Sequence, residues 1–343
     1  MPHSRLSQPS AFAEMTAFAP GSTRPARMPP VGRRTAGLSL LSLALAAARP
    51  AMAQPVQQST VLVPGPEEGS SSAWTTRAVA ALARGHYRPV ALQLSHLGGP
   101  DGVTAANRFA TLEPGDGDRF LTLPGMACQA WLTGATRARF EPRAWLPLLV
   151  SWNSAVLAGR GRLPSPGAAP LRVAIPSPDA PEAAALALLD LLGVPAQAVT
   201  GPAEAAFRAG EADALIIAGP APIDRAKVLG ATPWYQLSPT QDDATDLPPL
   251  PVRSPAARGA LAAVAALQLR AALVMPYLTP ADTVATWRRA ALRWQEEERT
   301  QPGEGRPMVG AQAAAAFALL APPPDAVLSY RSWLERRLGW RAG

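Results

Sequence analysis

Residues 59–72 read STVLVPGPEEGSSS. Ser59 to Pro64 is a short Val- and Leu-rich run closed by Pro and Gly, the pattern of a buried strand. A glycine- and serine-rich turn follows, from Gly65 to Ser72. Beyond it Trp74, Ala78, Ala81 and Leu82 share one helical face up to Gly85. Ser71 or Ser72 is the expected N-cap. Residues 59–85 are therefore strand, polar turn and helix, and the same succession recurs along the chain.

Working outward, strands are expected at Val90 to Leu94, Phe120 to Leu123, Trp145 to Val150 and Ala155 to Leu157, with a short helix at Thr104 to Leu112. After a loop at Gly159 to Pro170 come a strand at Leu171 to Ile175 and a helix at Pro181 to Leu192. A helix at Ala203 to Ala209 and a strand at Asp213 to Ile217 complete that part. A Pro- and Asp-rich loop (237–256) leads to a helix at Gly259 to Leu269 and an apolar strand at Ala271 to Met275. The C-terminal part is helical: Thr279 is expected to cap one helix, with Pro280 in its first turn and Asp282 reaching back. An Ala-rich helix at 311–320 and a last helix opened by Pro322-Pro323-Pro324-Asp325 follow. The alternation of apolar runs and amphipathic stretches predicts an α/β fold with mostly parallel strands. No internal repeat with a period of roughly 20–50 residues is visible.

The chain has 343 residues, a net charge of +7, three His and one Cys. That length suggests roughly two domains of about 150 residues each. A basic balance raises nucleic acid as a partner, so the location of the charge matters. Residues 28–53 hold a basic start at Arg33-Arg34, a Leu/Ala-rich stretch from Thr35 to Ala48, and a small-residue site ending at Ala53, which is the layout of a signal peptide. Cleavage after Ala53 leaves Gln54 first. Arg33-Arg34 admits a twin-arginine route beside the ordinary secretory one, and Met28 is an alternative start. Residues 1–53 carry six Arg and one Glu, so the remainder has 26 basic and 24 acidic side chains. The argument for nucleic acid goes with the leader.

The catalytic classes fare poorly. The only Lys is Lys227, which excludes a phosphate-binding loop ending in G-K-[ST]. Gly65 and Gly69 do not make the G-x-G-x-x-G of a dinucleotide site. The lone Cys128 excludes an internal disulfide and a Cys-based metal cluster, and reads as a partly buried structural thiol. Gly69-Ser70-Ser71-Ser72-Ala73 does not match the G-x-S-x-G elbow of a hydrolase. His86 and His96 have no metal-ligand spacing and read as surface or loop residues. No metal and no cofactor is expected. What remains is a set of strand-to-helix turns at 64–72, 124–128, 176–181 and 200–203. On a parallel sheet such turns gather at the carboxyl edge, where helix N-termini offer free N–H groups to an anion.

At this point the chain resembles the Bug family, the extracytoplasmic solute receptors of tripartite tricarboxylate transporters. Val61-Leu-Val-Pro64 through Gly69-Ser70 is similar to the family's "PFPAGGSTD" loop. Gly99, Gly102 and Ala106 fall on "GAGGNIGAEA", and Asp118 to Gly125 resembles "DGYTLLLG". Phe140 to Pro147 is similar to "YDPVKDFAP", Ala209 to Asp213 to "GGQVD", Met275-Pro276 with Thr279-Pro280 to "APAGTP", and Pro324 to Gly339 to the closing "TPEEF…KWG" helix. The segments occur in family order over the whole mature chain.

The resemblance implies a two-domain type II periplasmic-binding-protein fold with a ligand cleft between domains. One domain would comprise 54–158 plus 268–343 and the other 159–267, closing by a hinge. It implies a monomeric, periplasmic receptor, not an enzyme, that hands a small organic ligand, typically a carboxylate, to membrane permease subunits. A ligand-binding sensor that has lost transport, and a secreted α/β hydrolase, stay open beside it. Mapped onto this sequence, the ligand loops supply Gly69, Ser70, Ser71 and Ser72, then Gly125, Met126 and Ala127, and from the second domain Ser177 and Gly201. Several positions depart from the family. Glu67 and Glu68 replace small residues, Ser72 stands where the family has Asp, and Pro176 to Pro181 replaces "SSGxGSxxH". Two carboxylates beside an anion site predict that a di- or tricarboxylate binds poorly.

Overall fold

The first strand, β1 (Gln57–Pro64), is legible because it is buried on both faces. Val61 and Val63 pack under Trp74, Trp287 and Trp294, whereas Leu62 faces the opposite way, toward Phe109, Leu121 and Leu123. Such strands lie inside a sheet with helices on both sides, and they read as continuous apolar runs. The computed structural model describes residues 56–112, 118–165, 169–237, 247–249, 254–301 and 305–342. The expected leader, its cleavage site and most of the 237–256 loop lie outside the described residues.

In chain order the described strands are β1 (Gln57–Pro64), β2 (Val90–Leu97), β3 (Arg119–Leu123), β4 (Trp145–Trp152), β5 (Ser154–Gly159) and β6 (Leu171–Ile175). β7 (Ala196–Thr200), β8 (Ala214–Gly219), β9 (Thr232–Gln236), β10 (Leu269–Pro276) and β11 (Arg306–Val309) follow. They form two sheets, ordered β11-β4-β10-β3-β1-β2 and β7-β6-β8-β5-β9. β1 runs parallel to β2 and β3, with Gln57 opposite Val90 and Thr60 opposite Arg119. β6 runs parallel to β7 and β8. β10 is antiparallel to β3 and β4, β11 to β4, and β5 to β8 and β9.

The expectation of mostly parallel strands is therefore corrected to two mixed sheets. The antiparallel pairings in both sheets involve strands that enter from the other half or return along an edge. β5 follows β4 across Asn153 alone, and β10 follows directly on the Pro255–Gln268 helix. β5 has no helix before it, and the helix before β10 comes from a strand of the other sheet, so neither completes a strand–helix–strand crossover within its own sheet and neither is bound to the parallel direction that it imposes. The two crossings touch: the Asn153 N–H donates to the Gln268 carbonyl at 2.8 Å.

Two capping expectations are also corrected. The Ser70–Gly85 helix has Gly69 at its N-cap and therefore no side-chain cap, because it starts earlier than expected and Ser71 and Ser72 fall inside its first turn. The Ala281–Glu298 helix has Pro280 at its N-cap, and the Thr279 hydroxyl donates back to the Pro276 carbonyl at 2.8 Å.

The core of the second sheet gathers Val173, Ile175, Leu186, Leu188 and Ile216. It also takes in Leu132 from the Gly125–Thr133 helix and Val327, Tyr330 and Leu334 from the Pro324–Leu338 helix. Elements that follow strands of the first sheet thus complete the core of the second, and residues 56–343 form one compact unit. Among the described residues no helix is long and apolar enough to cross a membrane.

Candidate functional site: the strand-end loops

β1, β2 and β3 end side by side, and their outgoing loops pack on one another. Gly102 adopts φ +77°, and a Cβ there would lie 2.6 Å from Pro124 Cδ. Only glycine allows the second loop to close on the third. From the other sheet, the loop after β6 carries Ser177 and Asp179. It is tied to the loop after β7 by the Gly201 N–H, which donates to the Ile175 carbonyl at 2.9 Å.

One side chain joins the two groups of loops. Gln129, on the Gly125–Thr133 helix, donates from Nε2 to the backbone carbonyl of Asp179 at 2.7 Å. Beside this bond lies a cavity of about 250 Å³, lined among others by Met126, Gln129, Asp179, Asp101, Arg137 and Trp340. Asp101 and Arg137 form an ion pair on its wall. Ser177 donates its hydroxyl to Asp179 Oδ1 at 2.6 Å.

The predicted ligand residues separate into two groups. Met126 is exposed and lines the cavity, and Ser177 reaches it through Asp179. Gly69, Ser70, Ser71 and Gly201 are partly or fully exposed at the strand ends. Ser72, Gly125 and Ala127 are buried. Ala127 belongs to the core of the first sheet. A Cβ on Gly125 would lie 1.8 Å from the Ala266 carbonyl oxygen, so this glycine serves the close approach of two helices.

Ser72 is turned toward β2, where its Oγ lies 2.9 Å from His96 Nε2. His96 Nδ1 in turn lies 3.8 Å from Glu67 Oε1. The reading of His96 as a surface or loop residue is thereby corrected: it sits in β2 at the carboxyl edge, half-buried. The order Ser, His, carboxylate invites comparison with a hydrolytic triad. Two features oppose it. Ser72 is only 4% exposed, and Glu67 stands beyond hydrogen-bond distance and is largely solvated. A solvated carboxylate also repels an anion weakly, since water screens it. The expected penalty on di- and tricarboxylates from Glu67 is weakened accordingly. His86 stacks on Tyr87 and meets the Trp287 ring at a tilt, and its Nδ1 lies 2.8 Å from the Arg88 carbonyl. Cys128 is fully buried, not partly, and burial pushes its thiol up to about 12.

Gln129, Asp101, Arg137 and Trp340 escaped the sequence reading. Gln129 left one signal: it is the sole polar side chain in the apolar stretch Met126 to Leu132, and a buried polar group requires a partner. Trp340 left none, because it lies beyond the last helix and reaches the cavity only through the tertiary fold.

No family model and no curated protein matches the chain. Among solved structures, a TctC solute binding protein from Polaromonas, solved without ligand, superposes with a TM-score of 0.60 at 14% identity, covering 80% of this chain and 99% of that one. MatC from Rhodopseudomonas palustris with bound malate is 22% identical, covering 83% and 99% of the two chains at a TM-score of 0.46. The periplasmic binding protein BugD is 14% identical, covering 83% and 95% at 0.40. The first of these shows the fold: the chain has the two-sheet α/β fold of a solute-binding protein, as the sequence resemblance implies. The other two superpose too loosely to bear on this chain.

Proposed function

We propose that the protein is an extracytoplasmic solute receptor of the Bug type. It is exported by a Sec or twin-arginine leader cleaved after Ala53. The mature chain works as a periplasmic monomer that passes a small organic ligand to the permease subunits of a tripartite tricarboxylate transporter. It needs no cofactor and catalyses no reaction. Two bodies, one around each sheet, close on the ligand about the paired crossings at Asn153 and Gln268, with the Ser154–Gly159 strand and the Pro324–Leu338 helix going with the second sheet rather than with the first as the sequence resemblance implies.

The observation that carries this reading is the Gln129–Asp179 hydrogen bond. It ties the Gly125–Thr133 helix to the loop after β6 beside one cavity, and supports the reading within a fold that spans 99% of a known solute-binding protein. Gly69, Ser70, Ser71, Met126, Ser177 and Gly201 form the surface we assign to the ligand, while Ser72, Gly125 and Ala127 support it from behind. The test is titration calorimetry of residues 54–343 against a panel of small organic acids and their neutral analogues. A one-to-one site for at least one compound is expected. Silence across the panel, together with ester hydrolysis that disappears in Ser72→Ala, would turn the assignment to a hydrolase.

A further inference from the structure

The first ligand loop is backed by a hydrogen-bonded histidine. Ser72 Oγ lies 2.9 Å from His96 Nε2, and the other ring nitrogen, Nδ1, lies 3.8 Å from Glu67 Oε1. Glu67 and Ser72 bracket Gly69, Ser70 and Ser71, so the ring stands beside the stretch assigned to the ligand. No Lys or Arg occurs from Pro64 to Thr76, which leaves His96 as the group that can give this loop a positive charge.

The other charges around the ring are few and engaged. On β1 its partner across the parallel pair is Val63, and β2 is an edge strand. The remaining neighbours come from the loop after β1, the Ser70–Gly85 helix and the loop after β2. In the first of these Glu68 is exposed to solvent. Arg77, the first charged residue of the helix, pairs with Glu298 at 3.6 Å. Past β2, Asp101 is held by Arg137. Glu67 is the carboxylate placed to answer a charge on His96.

Histidine is the side chain that changes charge between about pH 5 and pH 8. Neutral, with its hydrogen on Nδ1 toward Glu67, the ring accepts the Ser72 hydroxyl at Nε2; protonated, it donates there instead. The contact with Ser72 survives in both states, and what changes is one unit of charge. Resting on the receptor reading above, we propose that His96 is the positioning residue that sets the charge of the first ligand loop. Protonated, it puts a positive charge beside Gly69 to Ser71 and draws Glu67 toward the ring, away from an incoming anion. Both effects favour a carboxylate. The receptor therefore holds a small carboxylate more tightly in mildly acidic than in mildly basic medium, and an uncharged ligand equally in both. By linkage, carboxylate binding takes up protons.

The experiment is calorimetry on residues 54–343 with lactate, propionate, butyrate and benzoate at about pH 6 and about pH 8, a range in which histidine titrates and these acids stay ionised. Propionamide is the uncharged control. A carboxylate is expected to bind about threefold or more tightly at the lower pH. His96→Gln keeps a hydrogen-bonding group toward Ser72 and loses the charge, so its carboxylate affinity is expected to be the same at both pH values. Glu67 is largely solvated, so Glu67→Gln carries the test should His96→Gln fail to fold. It is expected to bind the carboxylate more tightly than the parent at about pH 8 and to show a smaller difference between the two pH values. Equal affinities of the parent chain at both pH values, a difference that His96→Gln retains, or one that propionamide shares would overturn the proposal and leave the receptor reading standing. Silence of all four acids at both pH values would overturn it too, because the loop then takes no such anion. The receptor reading falls as well only if the wider panel of organic acids and neutral analogues is silent.

Discussion

A single hydrogen atom decides the packing at Gly125. Its Cα faces the Ala266 carbonyl so closely that a methyl group would overlap it. Gly125→Ala is expected to lower stability by at least about 1–3 kcal/mol, the usual cost of overpacking, seen as a lower urea midpoint with unchanged slope. In sequence this glycine looks like any glycine after a strand, and it reads naturally as part of a ligand loop. Cys128, three residues on, shares its fate. With its thiol buried and pushed up to about 12, it should resist a disulfide reagent in the folded protein and react at once in urea. Fast labelling of the native chain would contradict the packing described. The Ser70–Ser72 run shows the same limit: the helix starts at Ser70 with Gly69 as its cap, and the Ser72 hydroxyl meets His96, 24 residues away.

At the scale of elements, β1, β3, β6 and β10 were legible because their apolar residues run together in the middle of a sheet. β7, β9 and β11 were not singled out. They are short edge strands, half-exposed, and lack the continuous apolar run that marks a central strand. β6 is held in place from the side. Asp213, just before β8, accepts from the Arg172 guanidinium at 2.6 and 2.9 Å and from the Arg172 backbone N–H at 3.1 Å. These hydrogen bonds hold the Asp213 carboxyl below its ordinary range. A carboxyl lowered by folding stabilises the fold fully above its unfolded value, near pH 4. That contribution fades as pH falls through the folded value. Asp213→Asn is expected to cost at most about 1 kcal/mol at neutral pH, given its partial exposure. Urea midpoints of variant and parent should converge by about pH 2–3; an equal gap at both pH values would show that charge plays no part.

On the scale of the whole molecule, the sequence resemblance drew two bodies, yet the last helix buries Val327, Tyr330 and Leu334 in the core of the second sheet. Leu334→Ala is expected to cost about 2–5 kcal/mol and to lower a single unfolding transition followed by both fluorescence and circular dichroism. Two separate transitions would show that the halves fold independently. The overall charge also changes meaning at this scale: the excess of Arg belongs to residues 1–53, and the rest is close to neutral. The cavity was beyond reach of sequence because its parts come from four separate stretches, at Asp101, Met126 to Arg137, Asp179 and Trp340. The central claim is that these stretches close around a small organic molecule in an exported receptor. Native mass spectrometry of the protein, purified from the exported fraction without denaturation, tests it most directly. The account predicts a chain beginning at Gln54 that carries one small organic molecule, released on denaturation. A chain that keeps its leader, shows the same mass folded and unfolded, and takes up nothing from a library of small acids and amides would contradict it.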